Sequence, residues 1–470
     1  MIRQQTTRLD QRTMHKPVEQ LTFDLVGLDQ NTTLSGEFGR GHNGSANKLD
    51  AQDRAFHDWY RFVLSYPPHL VRAYLNDFGL DGRHTVLDPF CGTGTTLVEC
   101  KLSGIRGIGL EANPFAHFAS TVKLDWEVDP ELLDERARII ACETLRTLDA
   151  QGIKDNEPFS GSLHDVSLRS LDPDALALLL KDSISPLPLH KSLVLIDRFQ
   201  LDREDRYYQH MRLALANALV FKISNLHFGP EVGVQSPKRD VAVVANWLHE
   251  VRKMVDDLRP VQNQPYPACQ VHRADARGIA SILQPNSVDA VITSPPYPNE
   301  KDYTRTTRLE SVMLGFVSNK TELRALKKEL VRSNTRGVYK EDDDDQWVAQ
   351  HSEIQRIAGA IEQRRVEMGK SSGFERLYPK VTRLYFGGMA RHLAELRGVL
   401  RPGAQLAYVV GDQASYLRVM IRTGQLIADI AQALGYEVVR IDLFRTRLAT
   451  ETREQLREEV VVLRWPGGQD

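Results

Sequence analysis

The sequence predicts an α/β fold built on a doubly wound, largely parallel β-sheet. A βαβ unit begins at the apolar residues 85–87, continues through a glycine turn and a helix from about residue 95, and ends in a second strand that closes on Glu111. Another buried strand, residues 288–292, stops at the sequence Ser-Pro-Pro-Tyr. Helical and strand patterns alternate again near the C-terminus, as they do in α/β sheets.

Composition sets the outer bounds of the fold. A chain of 470 residues exceeds a usual single core, so we expect one large domain with sizeable inserts, or two domains. Its 41% hydrophobic and 26% charged residues are ordinary for a soluble globular protein. The net charge of −2 gives no basic field over the whole molecule, so any contact with nucleic acid must come from local patches.

Cysteines and apolar runs narrow the class of protein further. The four cysteines show no CxxC pairing, which argues against a disulfide framework and against a zinc site, and no metal site is predicted. The polar first sixteen residues contain no apolar segment of the kind found in signal peptides. Because no apolar run approaches the length that spans a membrane, we expect a cytoplasmic enzyme with no membrane contact.

The glycine turn after the first strand is a candidate ligand site. Gly92 and Gly94 allow the backbone to come close to a ligand, and Glu111 at the end of the next strand can accept both hydroxyls of a ribose. The third glycine of the dinucleotide pattern G-x-G-x-x-G is replaced by Leu97, which makes NAD binding less attractive. A tight turn between strand and helix without any ligand is the alternative.

The Ser-Pro-Pro-Tyr sequence at residues 294–297 predicts a second site. Proline fixes φ and removes the backbone N–H, so nearby carbonyls are held rigidly and can accept hydrogen bonds from another group. Tyr297 adds a flat stacking face. Together these residues predict a clamp for a planar group that carries an NH₂. A polyproline ligand for a partner domain is the alternative, but such a motif is expected in a polar tail rather than at the end of a buried strand.

These motifs resemble those of a known family. The sequence "DPFCGTGTT" followed by "GLEANP" resembles motifs I and II of S-adenosylmethionine-dependent methyltransferases. "SPPY" resembles motif IV of the DNA amino-methyltransferases, in the group that acts on cytosine N4. The resemblance covers roughly residues 55–125, 265–300 and 384–465. It implies a seven-stranded, Rossmann-like sheet with an antiparallel last strand, and a cofactor and substrate at the carboxyl edge of the strands.

The resemblance also implies which residues hold S-adenosylmethionine. The segment before motif I resembles motif X, which contacts the methionine end of the cofactor. Asp275 resembles the acid that meets the adenine amino group, although a helix N-cap is an alternative role for it. The predicted cofactor-binding residues are Tyr66, Asp88, Phe90, Gly92, Gly94, Glu111, Asn113 and Asp275.

The chain divides into three core segments and two inserts under this interpretation. The predicted boundaries give an N-terminal segment 1–54, a first core segment 55–125, a helical insert 126–262, a second core segment 263–300, an insert 301–383 and a third core segment 384–470. We expect the second insert to recognise the target, because it follows the predicted clamp, although the acidic run 341–345 interrupts its basic residues. The candidate DNA contacts are Lys238 and Arg239 in the first insert, and Arg305, Arg308, Arg332 and Arg336 in the second.

The implied chemistry is direct methyl transfer to an exocyclic amine. A cytosine amine in a duplex is paired, so the base must flip into the pocket. The predicted catalytic residues are Ser294, Pro295, Pro296 and Tyr297. The Ser294 hydroxyl and the Pro295 carbonyl would accept the two amine hydrogens, and Tyr297 would stack on the base, without a metal or a covalent intermediate.

The predicted function is therefore a cytosine-N4 methyltransferase acting on double-stranded DNA in a prokaryotic cytoplasm. We expect it to be the modification enzyme of a restriction–modification pair, whose cognate endonuclease acts on the same DNA site. Adenine N6 or an RNA base is an alternative substrate, because related enzymes share the motif. A catalytically silent regulator that binds S-adenosylmethionine or DNA is an alternative of another class, but the intact motifs argue against it.

Overall fold

A computed structural model of the chain describes residues 49, 51–62, 65–161, 166–228, 232–299, 301–448 and 455–468. Most of the predicted N-terminal segment, residues 1–54, lies outside these ranges. Among the residues that the structure describes, no helix is long and apolar enough to cross a membrane.

A seven-stranded sheet forms the centre of the protein. The strands are β1 (Thr85–Asp88), β2 (Arg106–Leu110), β3 (Leu226–Phe228), β4 (Val232–Val234), β5 (Cys269–His272), β6 (Val288–Thr293), β7 (Leu400–Gly411), β8 (Glu437–Leu448) and β9 (Gln455–Arg464). Seven of them pair in the order β5-β2-β1-β6-β7-β9-β8, while β3 and β4 form a separate hairpin. The first five strands of that order are parallel, and β9 runs antiparallel to both of its neighbours. The predicted doubly wound sheet with an antiparallel last strand is confirmed.

Helices cover both faces of the sheet and form most of the two inserts. The α-helices are α1 (Pro68–Asp77), α2 (Thr95–Leu102), α3 (Pro114–Lys123), α4 (Pro130–Ala150), α5 (Pro173–Leu176), α6 (Pro186–Leu201), α7 (Tyr208–Ala218), α8 (Val243–Leu258), α9 (Tyr303–Thr306), α10 (Arg308–Met313), α11 (Lys320–Glu329), α12 (Ser352–Glu367), α13 (Tyr378–Leu396) and α14 (Thr423–Ala433). A π-helical turn, Leu219–Ile223, extends α7. Short 3-10 turns lie at Ala51–Asp53, His57–Trp59, Arg259–Val261, Ala276–Ser281, Thr335–Gly337, Asp344–Val348 and Glu375–Leu377.

The first βαβ unit packs closely because its second strand carries glycines. A Cβ on Gly109 of β2 would lie 2.6 Å from Cδ1 of Leu97 in α2, and one on Gly107 would lie 3.1 Å from Leu97 Cδ2. Leu97 is fully buried. The close approach of helix and strand is thus achieved by glycines in the strand, which explains why the helix carries leucine where the dinucleotide pattern has its third glycine.

The first insert shares a hydrophobic core with the sheet domain. Buried residues of α4, α6, α7 and α8 form one cluster with residues of α2 and α3. The apolar face of α8 is buried in that cluster and includes Val244, Trp247, Val251, Met254, Val255 and Leu258.

The acidic run 341–345 is partly turned inward, with Asp344 buried and Glu341 and Asp343 exposed. Asp344 is 4% exposed and pairs with Arg277 and Arg391. A Cβ on Gly387 of α13 would clash with the backbone carbonyl of Asp344, so this segment lies directly on the helix. Within the same run, Asp342 pairs with Arg332, which is one of the candidate DNA contacts.

Strand β7 is irregular near its start. The sequence Arg-Pro-Gly at residues 401–403, which is typical of a turn, lies inside β7, where Gly403 has a φ of 89°. The pairing shifts from Val288↔Leu400 to Ala290↔Gln405 across this point, so the Arg-Pro-Gly sequence forms an irregularity in the strand instead of preceding it.

Candidate active site

A cavity of about 730 Å³ opens at the carboxyl edge of the parallel strands. Its wall includes residues that follow β1, β2, β5 and β6, together with a section of the second insert and the β8–β9 hairpin. Both predicted sites, the glycine turn and the Ser-Pro-Pro-Tyr sequence, border this one cavity. The position agrees with the general location of ligand sites in open α/β sheets.

Asp88 holds the strand ends together beneath the cavity. Its side chain is fully buried and accepts hydrogen bonds from Thr293 Oγ1 at 2.6 Å, Phe90 N at 3.2 Å and Tyr66 Oη at 3.0 Å. Burial raises the pKa of this carboxyl group, despite its donors. Tyr66 and Phe90 border the cavity. Asp88 does not border it, but holds these two residues through its hydrogen bonds. The Tyr66 hydroxyl also contacts Thr96.

The two predicted glycines have different roles. Gly92 has a φ of 52°, borders the cavity, and would direct a Cβ into open space. Gly94 has a φ of 86° and precedes α2, where a Cβ would lie 3.1 Å from Cβ of Ser120 in α3. Gly94 does not belong to the cavity wall; it permits the turn and the contact between two helices.

Glu111 fixes the turn with its carboxylate. Oε2 accepts the Gly92 N–H at 2.9 Å, and Oε1 accepts the Asn113 N–H at 2.7 Å. Burial, and to a lesser extent the negative charge of Asp88, raise the pKa of Glu111 to about 7 against the effect of these donors. Asn113 also borders the cavity, and its Oδ1 caps α3 by accepting from Phe115 N at 3.0 Å.

Asp275 combines the two roles that the sequence left open. It borders the cavity and is the N-cap of the turn Ala276–Ser281, accepting the Arg277 N–H at 2.9 Å. Arg277 also binds both carboxylate oxygens through Nε, at 3.1 and 2.9 Å. The ion pair holds the carboxylate at the cavity edge.

The Ser-Pro-Pro-Tyr residues all line the cavity. The Ser294 hydroxyl donates to the Val409 carbonyl of β7 at 3.1 Å and also contacts the Tyr297 side chain, which leaves an oxygen lone pair available as an acceptor. The Tyr297 N–H donates to the Tyr303 hydroxyl at 3.2 Å. Burial raises the pKa of the Tyr297 phenol, so its ring stays neutral at the cavity wall.

The first-insert candidates lie away from the cavity wall. The Lys238 ammonium donates to the carbonyls of Lys222 and Ser224, both at 2.7 Å, and so closes the end of the π-helical turn. Partial burial lowers the pKa of Lys238. Arg239 is exposed beside it. A DNA contact by this loop stays a prediction, carried by Arg239 rather than by Lys238.

The second-insert candidates divide into internal and exposed arginines. Arg308 is half-buried, and its guanidinium donates to the Thr304 carbonyl at 3.0 Å and to the Thr304 hydroxyl at 2.9 Å. Arg305 is also half-buried. Arg336 is exposed, with its guanidinium carbon 5.8 Å from the ring centre of Phe374, which is itself 53% exposed.

The geometry also opposes a DNA contact by Arg332. Its side chain is 5% exposed, and all five donor hydrogens have acceptors within the protein. Two of them reach Asp342, at 3.0 and 2.9 Å, and the others reach the carbonyls of Lys327, Lys328 and Leu330. A phosphate contact would require breaking this network, so Arg332 orders its own segment.

Several residues of the cavity wall were missed by sequence reasoning. Tyr303 lies in the segment that follows the clamp, and only the Asp302 N-cap pattern hints at its position. Arg445 and Glu458 of the β8–β9 hairpin also border the cavity and form an ion pair at 2.6 Å. No local pattern distinguishes these two residues from other charged strand residues, because their contact joins separate strands.

Comparisons with known proteins place the chain among methyltransferases. Residues 48–121 match the DNA methylase family model N6_N4_Mtase. The chain is 25% identical over 442 residues to the type II methyltransferase M.BsoBI of Geobacillus stearothermophilus, covering 88% of this chain and 85% of that relative. It is 22% identical over 462 residues to the type II methyltransferase M.AvaI of Anabaena variabilis, covering 90% and 88%. The crystal structure of TrmN from Thermus thermophilus is 13% identical, covers 88% of this chain and 52% of its own, and has a TM-score of 0.28.

Proposed function

Since the chain belongs to the S-adenosylmethionine-dependent DNA amino-methyltransferases, we propose that it methylates the N4 amine of cytosine in double-stranded DNA. We further propose that it is the modification enzyme of a restriction–modification system. The observation that carries the proposal is the shared cavity: Gly92 and Glu111 border it on one side, and residues 294–297 border it on the other. This arrangement supports a cofactor site and an amine clamp within reach of each other.

The residues present fit S-adenosylmethionine. The space above Gly92 is open, so a ligand can approach its backbone, and the Glu111 carboxylate retains lone pairs for ribose hydroxyls. Tyr66, Phe90, Asn113 and Asp275 would complete the site from the same wall. The bound cofactor supplies an electrophilic methyl group.

The clamp fits an amine that must be made nucleophilic. The Ser294 hydroxyl donates its hydrogen to the Val409 carbonyl, so its oxygen would accept one amine hydrogen, and the Pro295 carbonyl would accept the other. Two acceptors favour a tetrahedral nitrogen, whose lone pair then leaves the plane of the ring. Tyr297 would stack on the flipped base.

The serine at the first clamp position favours cytosine over adenine. The chain resembles the cytosine group of the family in this residue, whereas adenine enzymes more often carry aspartate or asparagine there. Adenine N6 is therefore the second candidate substrate, and the same clamp would hold its amine.

Product analysis tests the proposal directly. Purified protein is incubated with methyl-labelled S-adenosylmethionine and either double-stranded DNA or RNA, and the digested nucleosides are separated by mass spectrometry. We expect label in DNA as N4-methylcytosine only. N6-methyladenine as the sole product would replace the cytosine assignment, and label in RNA alone would replace DNA as the substrate. Absence of label from both, with cofactor binding intact, would favour the silent regulator.

A further inference from the structure

Tyr303 is held rigidly in the cavity wall by residues on both sides of it. It is the first residue of α9, whose N-cap Asp302 accepts from Thr304 N at 3.1 Å and from Thr304 Oγ1 at 2.7 Å. The second carboxylate oxygen of Asp302 accepts from Lys327 Nζ of α11 at 2.6 Å. The Tyr303 ring stacks on Phe62, with centroids 6.0 Å apart and planes at 28°. Both rings border the cavity.

The Tyr303 hydroxyl has a hydrogen to donate. Its oxygen accepts the Tyr297 N–H at 3.2 Å, so its own proton remains for another acceptor. Across the described ranges, no protein group is recorded as accepting that proton. Burial raises the pKa of Tyr303, which keeps the proton on the oxygen. The cavity thus has a fixed O–H donor hydrogen-bonded to the backbone of its stacking residue.

The pattern of donors and acceptors selects a base by its edge. Cytosine carries its N4 amine beside the unprotonated ring nitrogen N3, and adenine carries its N6 amine beside N1. Each edge needs acceptors for the amine and a donor for the ring nitrogen. Thymine presents the opposite pattern, with a carbonyl in place of the amine and an N–H in place of the ring acceptor. Ser294 supplies an acceptor and Tyr303 supplies a donor.

We propose that Tyr303 is a specificity-determining residue, whose hydroxyl donates to the ring nitrogen beside the target amine while accepting from Tyr297. This inference rests on the proposed function, because it assumes that the base occupies the clamp. It assigns a base-reading role to a residue outside the motifs, and it explains how the cavity would exclude thymine.

A base-analogue cycle tests the role of the hydroxyl. Two duplexes carry the target site, once the methylated base has been mapped. One contains cytosine at that position, and the other contains 3-deazacytosine, which keeps the amine but has a C–H group in place of the ring nitrogen N3. If mapping finds adenine, adenine is compared with 1-deazaadenine instead. Single-turnover methyl transfer is measured for wild type and Tyr303→Phe. We expect Tyr303→Phe to slow transfer to the natural base by about 10-fold or more, and to remove most of the wild-type preference between the two duplexes.

A matched control separates the hydroxyl from general packing. Tyr436 is buried, its hydroxyl donates to the Leu393 carbonyl at 2.8 Å, and it lies outside the cavity wall. Tyr436→Phe should therefore retain wild-type rates on both duplexes. Cofactor affinity by calorimetry should be unchanged in both variants, which verifies a folded site.

Two results would overturn the inference. Equal slowing of both duplexes by Tyr303→Phe would show that the hydroxyl only positions Tyr297. A wild-type enzyme that does not distinguish the natural base from its deaza analogue would show that the ring nitrogen is not read, without need of any variant. Failure of the wild type to methylate the natural duplex would count against the proposed function instead.

Discussion

The Tyr297 ring lies directly against Gly411, the last residue of β7. A Cβ on Gly411 would be 2.9 Å from Tyr297 Cε2 and 3.3 Å from Cδ2. The missing side chain at the end of one strand thus makes room for the aromatic ring that follows the neighbouring strand. Because β7 is anchored by β9 on its other side, the ring orientation is set by the sheet itself.

Gly411→Ala should displace the Tyr297 ring without touching the predicted cofactor contacts. A shift of about 1 Å in a positioning group can cost roughly 10²-fold in rate, so we expect a loss of that order in single-turnover methylation of DNA. S-adenosylmethionine affinity, measured by calorimetry, should be unchanged. Gly359→Ala is the matched control, since Gly359 is exposed in α12 with nothing within 4 Å of its Cβ position. Unimpaired turnover in Gly411→Ala would separate catalysis from the ring position.

Cofactor affinity should depend on pH through Glu111. The folded protein holds the pKa of this carboxyl at about 7, and ribose hydroxyls donate best to its ionised form. The proton must leave before binding, so affinity should be full above about pH 8 and should fall as pH drops through 7, approaching tenfold per unit. Calorimetry of wild type and Glu111→Gln across this range checks the sign. A wild-type affinity that does not change with pH would contradict an ionised contact.

Removing the Glu111 carboxylate altogether should weaken S-adenosylmethionine binding at neutral pH. The ribose hydroxyls lose a charged acceptor in Glu111→Ala, which we expect to cost roughly 1–3 kcal/mol. The Gly92 N–H loses its acceptor as well, so the turn itself is expected to loosen. Thermal unfolding should accompany calorimetry to verify that the variant is folded. Unchanged affinity in a folded variant would remove Glu111 from the site.

Arg336 and Arg332 should give opposite results on mutation. Arg336 is exposed, so Arg336→Ala should weaken DNA binding and, if it touches a phosphate, flatten the slope of log affinity against log salt by about 0.9. Arg332→Ala leaves Asp342, 9% exposed, without its partner and should destabilise the fold by about 3–5 kcal/mol. Salt titrations and chemical denaturation measure the two effects. An unchanged salt slope in Arg336→Ala would move the DNA contact to Arg239 or elsewhere.

The contrast between these two arginines shows where sequence reasoning stops. The glycine turn, the strand ends and the position of residues 294–297 at the end of a strand were predictable, because each depends on residues that are adjacent in the chain. The choice between a buried and an exposed arginine depends on partners elsewhere: Asp342 is ten residues from Arg332, and Asp344 is 67 residues from Arg277. The number of charges along the insert is the same whether an arginine is buried or exposed, so the burial of Asp344 could not be predicted from the sequence. The role of Gly411 could not be predicted for the same reason, because its contact with Tyr297 joins two residues that are distant in the chain.

Ser294 and Tyr297 should affect different steps of the reaction. Ser294→Ala removes an acceptor for the amine, and losing such a transition-state contact typically costs about 10²–10³-fold in rate. DNA and cofactor should still bind, because the hydroxyl's other contacts are one hydrogen bond to Val409 O and a contact with the Tyr297 side chain. Ser281→Ala is a suitable control, since its hydroxyl caps an exposed turn through Gly278 O.

Tyr297→Ala should instead weaken productive DNA binding as well as turnover, because the flipped base loses its stacking surface, a contact worth about 1–3 kcal/mol. Tyr297→Phe should be mild, since stacking needs the ring and the Tyr297 contact with Tyr303 is made by the backbone N–H. Equilibrium binding and single-turnover rates on the same duplex separate the two steps. If Tyr297→Ala lowered the rate with unchanged DNA affinity, the ring would act on the reacting amine rather than on the flipped base, and its contact with Gly411 would then orient the chemical step.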